Sequence, residues 1–327
     1  MLKYILRRVG IAIPTLIAVS IVSFTVIQLP PGDYLTSYVN QLKSQGEEAN
    51  ELELEMLNRR YGLDKPLYVR YFIWVGGMLH GDFGDSLDWR MPVIQLIGPR
   101  LQLTFIVSLS TLLLTWTLAI PIGILSATQQ YSLVDYAATF FGFIGLGVPN
   151  FLLALVLMWI SYAYFDTSVG GLFSPEFIEA PWSWLRVWDM IKHLWIPIVV
   201  LGTGGTAGLI RTMRANLLDE LHKPYVTTAR AKGLTERRLT WKYPVRVALN
   251  PFVSTVGWSL PALISGTTIT AVVLNLPTTG PLLLRALISQ DMYLAGSFLF
   301  VLSALTIVGT LLSDVLLAWI DPRIRLG

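Results

Sequence analysis

Cysteine is absent from all 327 residues, which excludes disulfides, thiol nucleophiles and thiolate metal sites. Histidine is nearly absent: His80, His193 and His222 are too scattered along the chain to suggest a metal site. Charge is scarce as well. Asp, Glu, Lys and Arg make up 14% of the residues, against roughly 25% in soluble domains. Hydrophobic residues make up 54%, and mean hydropathy is +0.59. This balance indicates a polytopic membrane protein. The net charge of +3 is small, so where the cations sit matters more than their number.

The apolar runs predict an all-α membrane protein with six transmembrane helices. Lys3, Arg7 and Arg8 precede a run from Val9 to Leu29. That run exceeds the ~7–15 residues of a cleaved leader's core, has no small-x-small site closing it, and reaches the ~20 residues a span needs. Residues 1–30 therefore read as an N-terminal span, with the leading cations placing the N-terminus in the cytoplasm. Residues 31–100 read as an extracytoplasmic amphipathic segment. A helix is expected to end at Gly62, and Pro66 to open another. In the latter, Leu67, Tyr71, Phe72, Trp74 and Val75 suggest a helix lying at the membrane surface. Lipid contact or packing against span tops, substrate contact, and the seating of a partner all remain open for that face.

A transport core over 101–320 follows, with spans at about 101–127, 136–164, 194–210, 252–276 and 294–320, and a cytoplasmic tail at 321–327. Pro121 and Gly123 interrupt the first of these. Gly142, Gly145, Gly147 and Pro149 let the next tilt or bend. Gly204 and Gly208 give the next a small-xxx-small spacing that permits close helix packing. Residues 166–192 lie outside, with Trp182, Trp184 and Trp188 as interfacial anchors, and 277–293 form a short outside turn. Both termini are cytoplasmic on this reading.

The stretch from Pro224 to Pro251 is the one long polar, basic segment. It holds Arg230, Lys232, Arg237, Arg238, Lys242 and Arg246, with Glu236 as its only acid; Arg211, Arg214 and Lys223 lie just upstream. Pro224 suits a first helical position, and Gly233 the position past a helix end, where positive φ is needed. A short helix over Tyr225–Lys232 is expected between them. Thr235 can cap a second short helix, and Asn250-Pro251 opens the next span. The plainest account is an inside loop made basic by membrane topology. A nucleic-acid site is excluded, because the patch lies between spans.

The detailed pattern says more. Thr227-Thr228-Ala229-Arg230-Ala231-Lys232-Gly233 resembles the EAA loop of importer-type ABC permeases, with Thr227 and Thr228 where the general motif has Glu and Ala. The fuller string 228–238, ThrAlaArgAlaLysGlyLeuThrGluArgArg, resembles the dipeptide and oligopeptide permease family. So do 61–66 (TyrGlyLeuAspLysPro), 81–86 (GlyAspPheGlyAspSer), 100–104 (ArgLeuGlnLeuThr), the N-terminal run and ValProAsnPhe at 148–151. The resemblance covers nearly the whole chain.

It implies a type I ABC importer permease fold in which Tyr225, Thr227, Thr228, Ala229, Arg230, Ala231, Lys232 and Gly233 form a coupling helix. It further implies four kinds of partner: a second, homologous permease; two ATP-binding subunits carrying ATP and Mg; an extracytoplasmic solute-binding protein; and membrane lipid. No cofactor or metal is expected in this chain, and it is expected to catalyse no bond chemistry.

Other apparent motifs fail. Gly202 to Gly208 lacks the Lys-Ser/Thr of a phosphate loop, and Asp82-Phe83-Gly84 occurs without a kinase lysine or catalytic loop. No Walker A sequence occurs, so ATP driving this protein would be bound by another chain. The expected spans hold no mid-membrane ionisable residue, since Asp135, Arg211 and Asp314 fall near inside ends. Ion-coupled carriers usually need such groups.

The fifth span carries Ser254, Thr255, Ser259, Ser265, Thr267, Thr268 and Thr270. These hydroxyls either bond back to their own helix or line a polar path, with Thr255, Ser259, Thr267 and Thr270 as path candidates. The resemblance favours the path, because this helix lines it in related permeases. One departure stands out. The family usually has a Glu six residues before a ProGlyxGly turn, whereas this chain has Ala271 before Pro277-Thr278-Thr279-Gly280. The substrate class is thereby left between peptides, oligosaccharides and other small solutes. Rival readings of other classes are an ATP-independent carrier or channel and a membrane scaffold.

Overall fold

The computed structural model describes residues 2–28, 39, 55–56, 58–59, 64–165, 170–252 and 268–320, and of these only the backbone at 2–9, 27 and 312–320. The described residues are helical, with no strand; an isolated bridge joins Asp85 to Pro92. Three helices are long and apolar enough to cross a membrane: Val93–Thr128, Trp184–Leu221 and the stretch Met292–Leu311. A bent pair, Leu133–Gly147 with Asn150–Phe165, makes a fourth if it is one span. The expected fifth span lies mostly outside the described residues. The chain forms two compact units, one of residues 1–103 with 278–311, the other of 104–277 with 312–327.

In the first unit, α1 (Leu2–Gln28) and α2 (Leu67–Leu79) pack beside the start of a long C-terminal helix. Pro66 stands at the N-cap of α2, as expected. The apolar residues of α2 divide between two faces. Trp74 is 3% exposed and Phe72 69%. Tyr71, Trp74 and Val75 join Phe24, Leu87 and Met292 in a core, while Leu67, Tyr68 and Phe72 stay outside. Tyr71 hydrogen-bonds Ser20 of α1 at 2.9 Å, and the Trp74 indole donates to Ser297 at 3.1 Å.

Residues 277–293 are not the short turn expected. They contain a ten-residue helix, Thr279–Ile288. Leu282 and Ala286 face inward from it, so burial of an i, i+4 pair supports a helix where the prolines and threonines suggest a loop. Asp291 then begins the final helix, Met292–Ile320. Its carboxylate accepts from Ser86 Oγ (2.5 Å), from the Leu87 and Asp88 amides (2.8 and 3.2 Å) and from the Leu294 amide (3.1 Å). One acid thus caps a helix and ties it to the 86–88 loop.

The second unit takes in most of α3 (Val93–Thr128), then α4 (Leu133–Gly147), α5 (Asn150–Phe165) and α6 (Trp184–Leu221). Helix α3 starts earlier than the expected 101 and runs on through Pro121 and Gly123 rather than being interrupted there. The expected 136–164 span breaks at Val148-Pro149, and its halves meet at 100°. Pro149 has no N–H to continue α4, and its ring restricts Val148 to extended backbone, seen at φ −89° and ψ 120°. Helix α6 extends well beyond the expected 194–210, taking in Trp184 and Trp188, which are 84% and 56% exposed.

Close helix approach is not centred on Gly204 and Gly208. A Cβ on Gly208 would meet nothing within 4 Å, and one on Gly204 only Gly145 O at 3.7 Å. The tight crossing is at Gly123, where an added Cβ would fall 2.6 Å from the Met213 Cβ. Around it Ala119, Ile124, Ala127, Met213, Leu217, Val245, Ala248 and Phe252 form the core.

Candidate coupling site

The basic stretch folds into three short helices: α7 (Pro224–Ala231), α8 (Glu236–Lys242) and α9 (Pro244–Ala248). Helix α7 matches the expected Tyr225–Lys232 to within a residue at each end. Pro224 takes the first turn, where its missing N–H costs nothing. Lys232 is the C-cap, and Gly233 follows at φ +81°. The Lys232 amide donates to Thr228 O at 3.1 Å and the Gly233 amide to Arg230 O at 3.0 Å. These bonds satisfy the last carbonyls of the helix, and the left-handed φ lets the chain turn back. Thr235 does stand at the N-cap of α8, but its side chain makes no capping hydrogen bond.

Burial divides the candidate residues by helical period. Val226 and Ala229, an i, i+3 pair, pack with Leu239 of α8 and with Leu234 into a small apolar cluster. Tyr225, Thr227, Thr228, Arg230, Ala231, Lys232 and Gly233 are exposed. Of the candidate set, Ala229 alone therefore acts as floor. The rest form one continuous solvent face with two cations.

Arg230 reaches over Gly233 to Glu236, with Nη2 donating to Oε2 at 3.0 Å and Nε donating to Oε1. The pairing raises the guanidinium's pKa and lowers the carboxyl's. Tyr225 donates its hydroxyl to Glu220 at the end of α6. Burial, and then the Glu220 carboxylate, push its pKa up. These contacts hold α7 to α8 on one side and to the end of α6 on the other.

A further anchor lies upstream and was missed in the sequence. Arg214 of α6 makes a two-pronged ion pair with Asp135 of α4, Nε to Oδ1 at 2.7 Å and Nη2 to Oδ2 at 2.8 Å. Asp135 also accepts from Ser126 Oγ of α3 and from the Tyr131 amide at 3.0 Å. The available signal was a lone acid three residues after Ser132, which caps α4, in an otherwise uncharged apolar run.

The path candidates Thr255, Ser259 and Thr267 lie outside the described residues. Thr270 is 5% exposed in α10 (Thr268–Val273). Ala271 is also buried, and its carbonyl accepts from the Leu276 amide at 2.8 Å. Among the described residues no group of three or more His, Asp or Glu is placed to hold a metal ion.

Residues 119–326 match the family model described as "Binding-protein-dependent transport system inner membrane component". The chain belongs to this family. Residues 1–108 match the model for the N-terminal part of such membrane components. Among curated relatives, the "Oligopeptide transport system permease protein AppB" of Bacillus subtilis is 36% identical, covering 99% of this chain and all of the relative. The "Dipeptide transport system permease protein DppB" of Escherichia coli K12 is 29% identical over 99% of both chains. The "Peptidoglycan transport system permease protein YejB" of Agrobacterium fabrum is 30% identical over 98% of this chain and 97% of the relative. The chain is thus a permease subunit of a binding-protein-dependent transport system, and its apolar helices are those of a multi-pass membrane component.

Proposed function

We propose that this permease forms half of the translocation path of an ATP-driven peptide importer, with α7 as its coupling helix. The solvent face of α7 is the observation that carries the reading. It is a helix closed at its C-terminal end by Gly233 and held to α6 and α8, with Arg230 and Lys232 outward and no other described element covering it. An eight-residue helix tied to α6 and α8 and exposed on its remaining face is suited to transmit a push from a docked partner to the long helices.

In this account six spans place both termini and α7 in the cytoplasm. A second permease completes the path, and two ATPase subunits carry ATP and Mg. ATP-driven closure of the ATPases draws α7 and its counterpart together and opens the path outward. A solute-binding protein then releases its ligand, and hydrolysis restores the inward-open state. Thr255, Ser259, Thr267 and Thr270 line the path. Peptide is the favoured cargo because the relatives are named for oligopeptide, dipeptide and peptidoglycan transport.

The test is purification of the chain from native membranes in mild detergent, with mass spectrometry of what accompanies it. A second permease and one or two Walker-A ATPases are expected. Recovery of the chain alone, or only as a homo-oligomer, would sink the proposal. Tryptophan at both Ser259 and Thr267 is expected to cut uptake without loss of assembly; full uptake would remove span five from the path.

A further inference from the structure

The exposed face of α7 is too small to hold a protein partner by itself. An eight-residue helix is about 12 Å long. Seven of the candidate residues on it and its closing turn are exposed, whereas a stable interface takes roughly 20–30 residues from each side. The rest of the footprint has to come from surface continuous with α7. Residues 232–235 join α7 directly to α8, and Val226, Ala229 and Leu239 bury the side on which the two helices meet. The pair therefore meets a partner as one body.

A groove of about 760 Å³ opens beside this body, between α8 and the ends of α3 and α6. Arg230 of α7 borders it, so the groove and the solvent face of α7 share an edge. Leu218 and Leu221 of α6 line it; they follow Arg214 and neighbour Asp219 and Glu220, between the Arg214–Asp135 pair and α7. Leu125 of α3, 45% exposed, and Trp241 of α8, 54% exposed, add to the apolar lining. Arg230 and Glu236 neutralise each other. Arg237 is in no ion pair among the described residues and gives the groove a net positive charge. Arg238 and Lys242 stand exposed on the same short helix.

We infer that this groove is a socket for the ATP-binding subunit docked on α7, and that it receives a segment carrying a large apolar side chain next to an acid. The inference rests on the coupling reading of α7. The apolar side chain lies against Leu125, Leu218 and Trp241, and the acid meets Arg237. Tryptophan and arginine are the residue types in which binding energy concentrates. A free anion would meet Arg237 but leave the leucines and Trp241 in water. A lipid would need the bilayer to reach past the Arg214–Asp135 pair to the edge of α7, where the docked subunit sits. Two of the three walls belong to α3 and α6, which are long and apolar enough to cross a membrane. A partner seated in the socket thus hands its movement to these helices directly, as well as through α7.

The experiment uses the full chain in native membranes, with p-benzoylphenylalanine in place of Trp241 or, separately, of Lys232. Both positions are expected to give photoproducts with an ATP-binding subunit. The Trp241 product is expected to map to a segment holding an Asp or Glu. The ATP-binding subunits that accompany the chain are then titrated onto it in nanodiscs. Trp241→Ala is expected to weaken their binding about fivefold or more, and Arg237→Glu about tenfold. Reversing the mapped acid to lysine on the ATP-binding subunit is expected to restore most of the Arg237→Glu loss, which a misfolded chain could not show.

A photoproduct with the ATP-binding subunit at Lys232 and none at Trp241 would overturn the inference and leave the coupling reading standing. Absence of that product at both positions would sink the two together. A Trp241 product with lipid would overturn the socket and mark a membrane contact instead. Unchanged binding in both Trp241→Ala and Arg237→Glu would overturn it as well.

Discussion

Arg214 and Asp135 lie 79 positions apart and meet as a two-pronged ion pair, with the carboxylate 4% exposed. Ser126 and the Tyr131 amide complete the acid's partners. Three helices of the second unit are joined at this point, ten residues before α7 begins. Under the proposed function, this junction is the base against which α7 would move.

Removing Arg214 leaves the buried Asp135 carboxylate without its cation, whereas removing Asp135 leaves an arginine that is 28% exposed. Arg214→Ala is expected to cost about 3 kcal/mol, and Asp135→Ala less, because the arginine it leaves reaches solvent. The double variant should cost less than the sum of the two. A double-mutant cycle by denaturation in detergent checks this, and strict additivity would mean the pair is not coupled.

Gly233 holds φ +81°. Proline is fixed near −65° and has no amide for the bond to Arg230 O. Gly233→Pro is expected to abolish ATP-driven uptake while leaving the chain in the membrane at normal abundance. Uptake in vesicles, normalised to immunoblot, decides it; unchanged transport would count against coupling through α7.

The Arg230–Glu236 pair is solvent-exposed, so screening leaves it little weight in stability. Reversing Arg230 and Lys232 to Glu is expected to leave the thermal midpoint of the purified chain in place. ATPase recruitment should be lost in the same variant. A pull-down with the ATPase subunits would contradict this if recovery stayed complete.

At the α3–α6 crossing, a side chain on Gly123 would collide with Met213. Gly123→Val is expected to destabilise by about 1–3 kcal/mol. Adding Met213→Gly, which removes the Cβ that the new side chain would strike, should recover part of the loss by making room. Failure of the second change to help would mean that the crossing is not set by this contact.

Burial raises the Asp291 carboxyl above its ordinary value despite the hydrogen bonds of Ser86, Leu294, Asp88 and Leu87. An acid with a raised folded pKa binds more protons folded than unfolded. Its stability contribution is therefore complete below the unfolded value of about 4 and is lost as pH rises through the folded one. Stability measured over that window is expected to fall with pH, and Asp291→Asn should remove that slope. The amide should also cost about 1–3 kcal/mol, because with its oxygen toward the 86–88 loop its N–H₂ faces the Leu294 amide and cannot accept from it. An identical slope in the variant would assign the titration to another group.

Local chemistry in the sequence was enough to place α7. Pro224 and Gly233 bracket the helix, and both act through their own backbone, one by a missing amide and one by a permitted φ. The break at Val148-Pro149 was legible for the same reason. Membrane character needed only composition, and family membership followed from strings of neighbouring residues.

What escaped the sequence depends on residues far apart in the chain. Asp291 reaches the 86–88 loop across about two hundred residues, and Arg214 reaches Asp135 across 79. The helix Thr279–Ile288 is supported by burial of Leu282 and Ala286, which no local pattern announces against its prolines and threonines. Glycine spacing suggested a close approach at Gly204 and Gly208, yet packing placed it at Gly123, because only the facing Met213 decides which gap is filled. The sequence determined where the backbone can start, stop and turn. The tertiary structure decided which charges pair and which faces are buried, because those energies exist only once distant segments exclude water together.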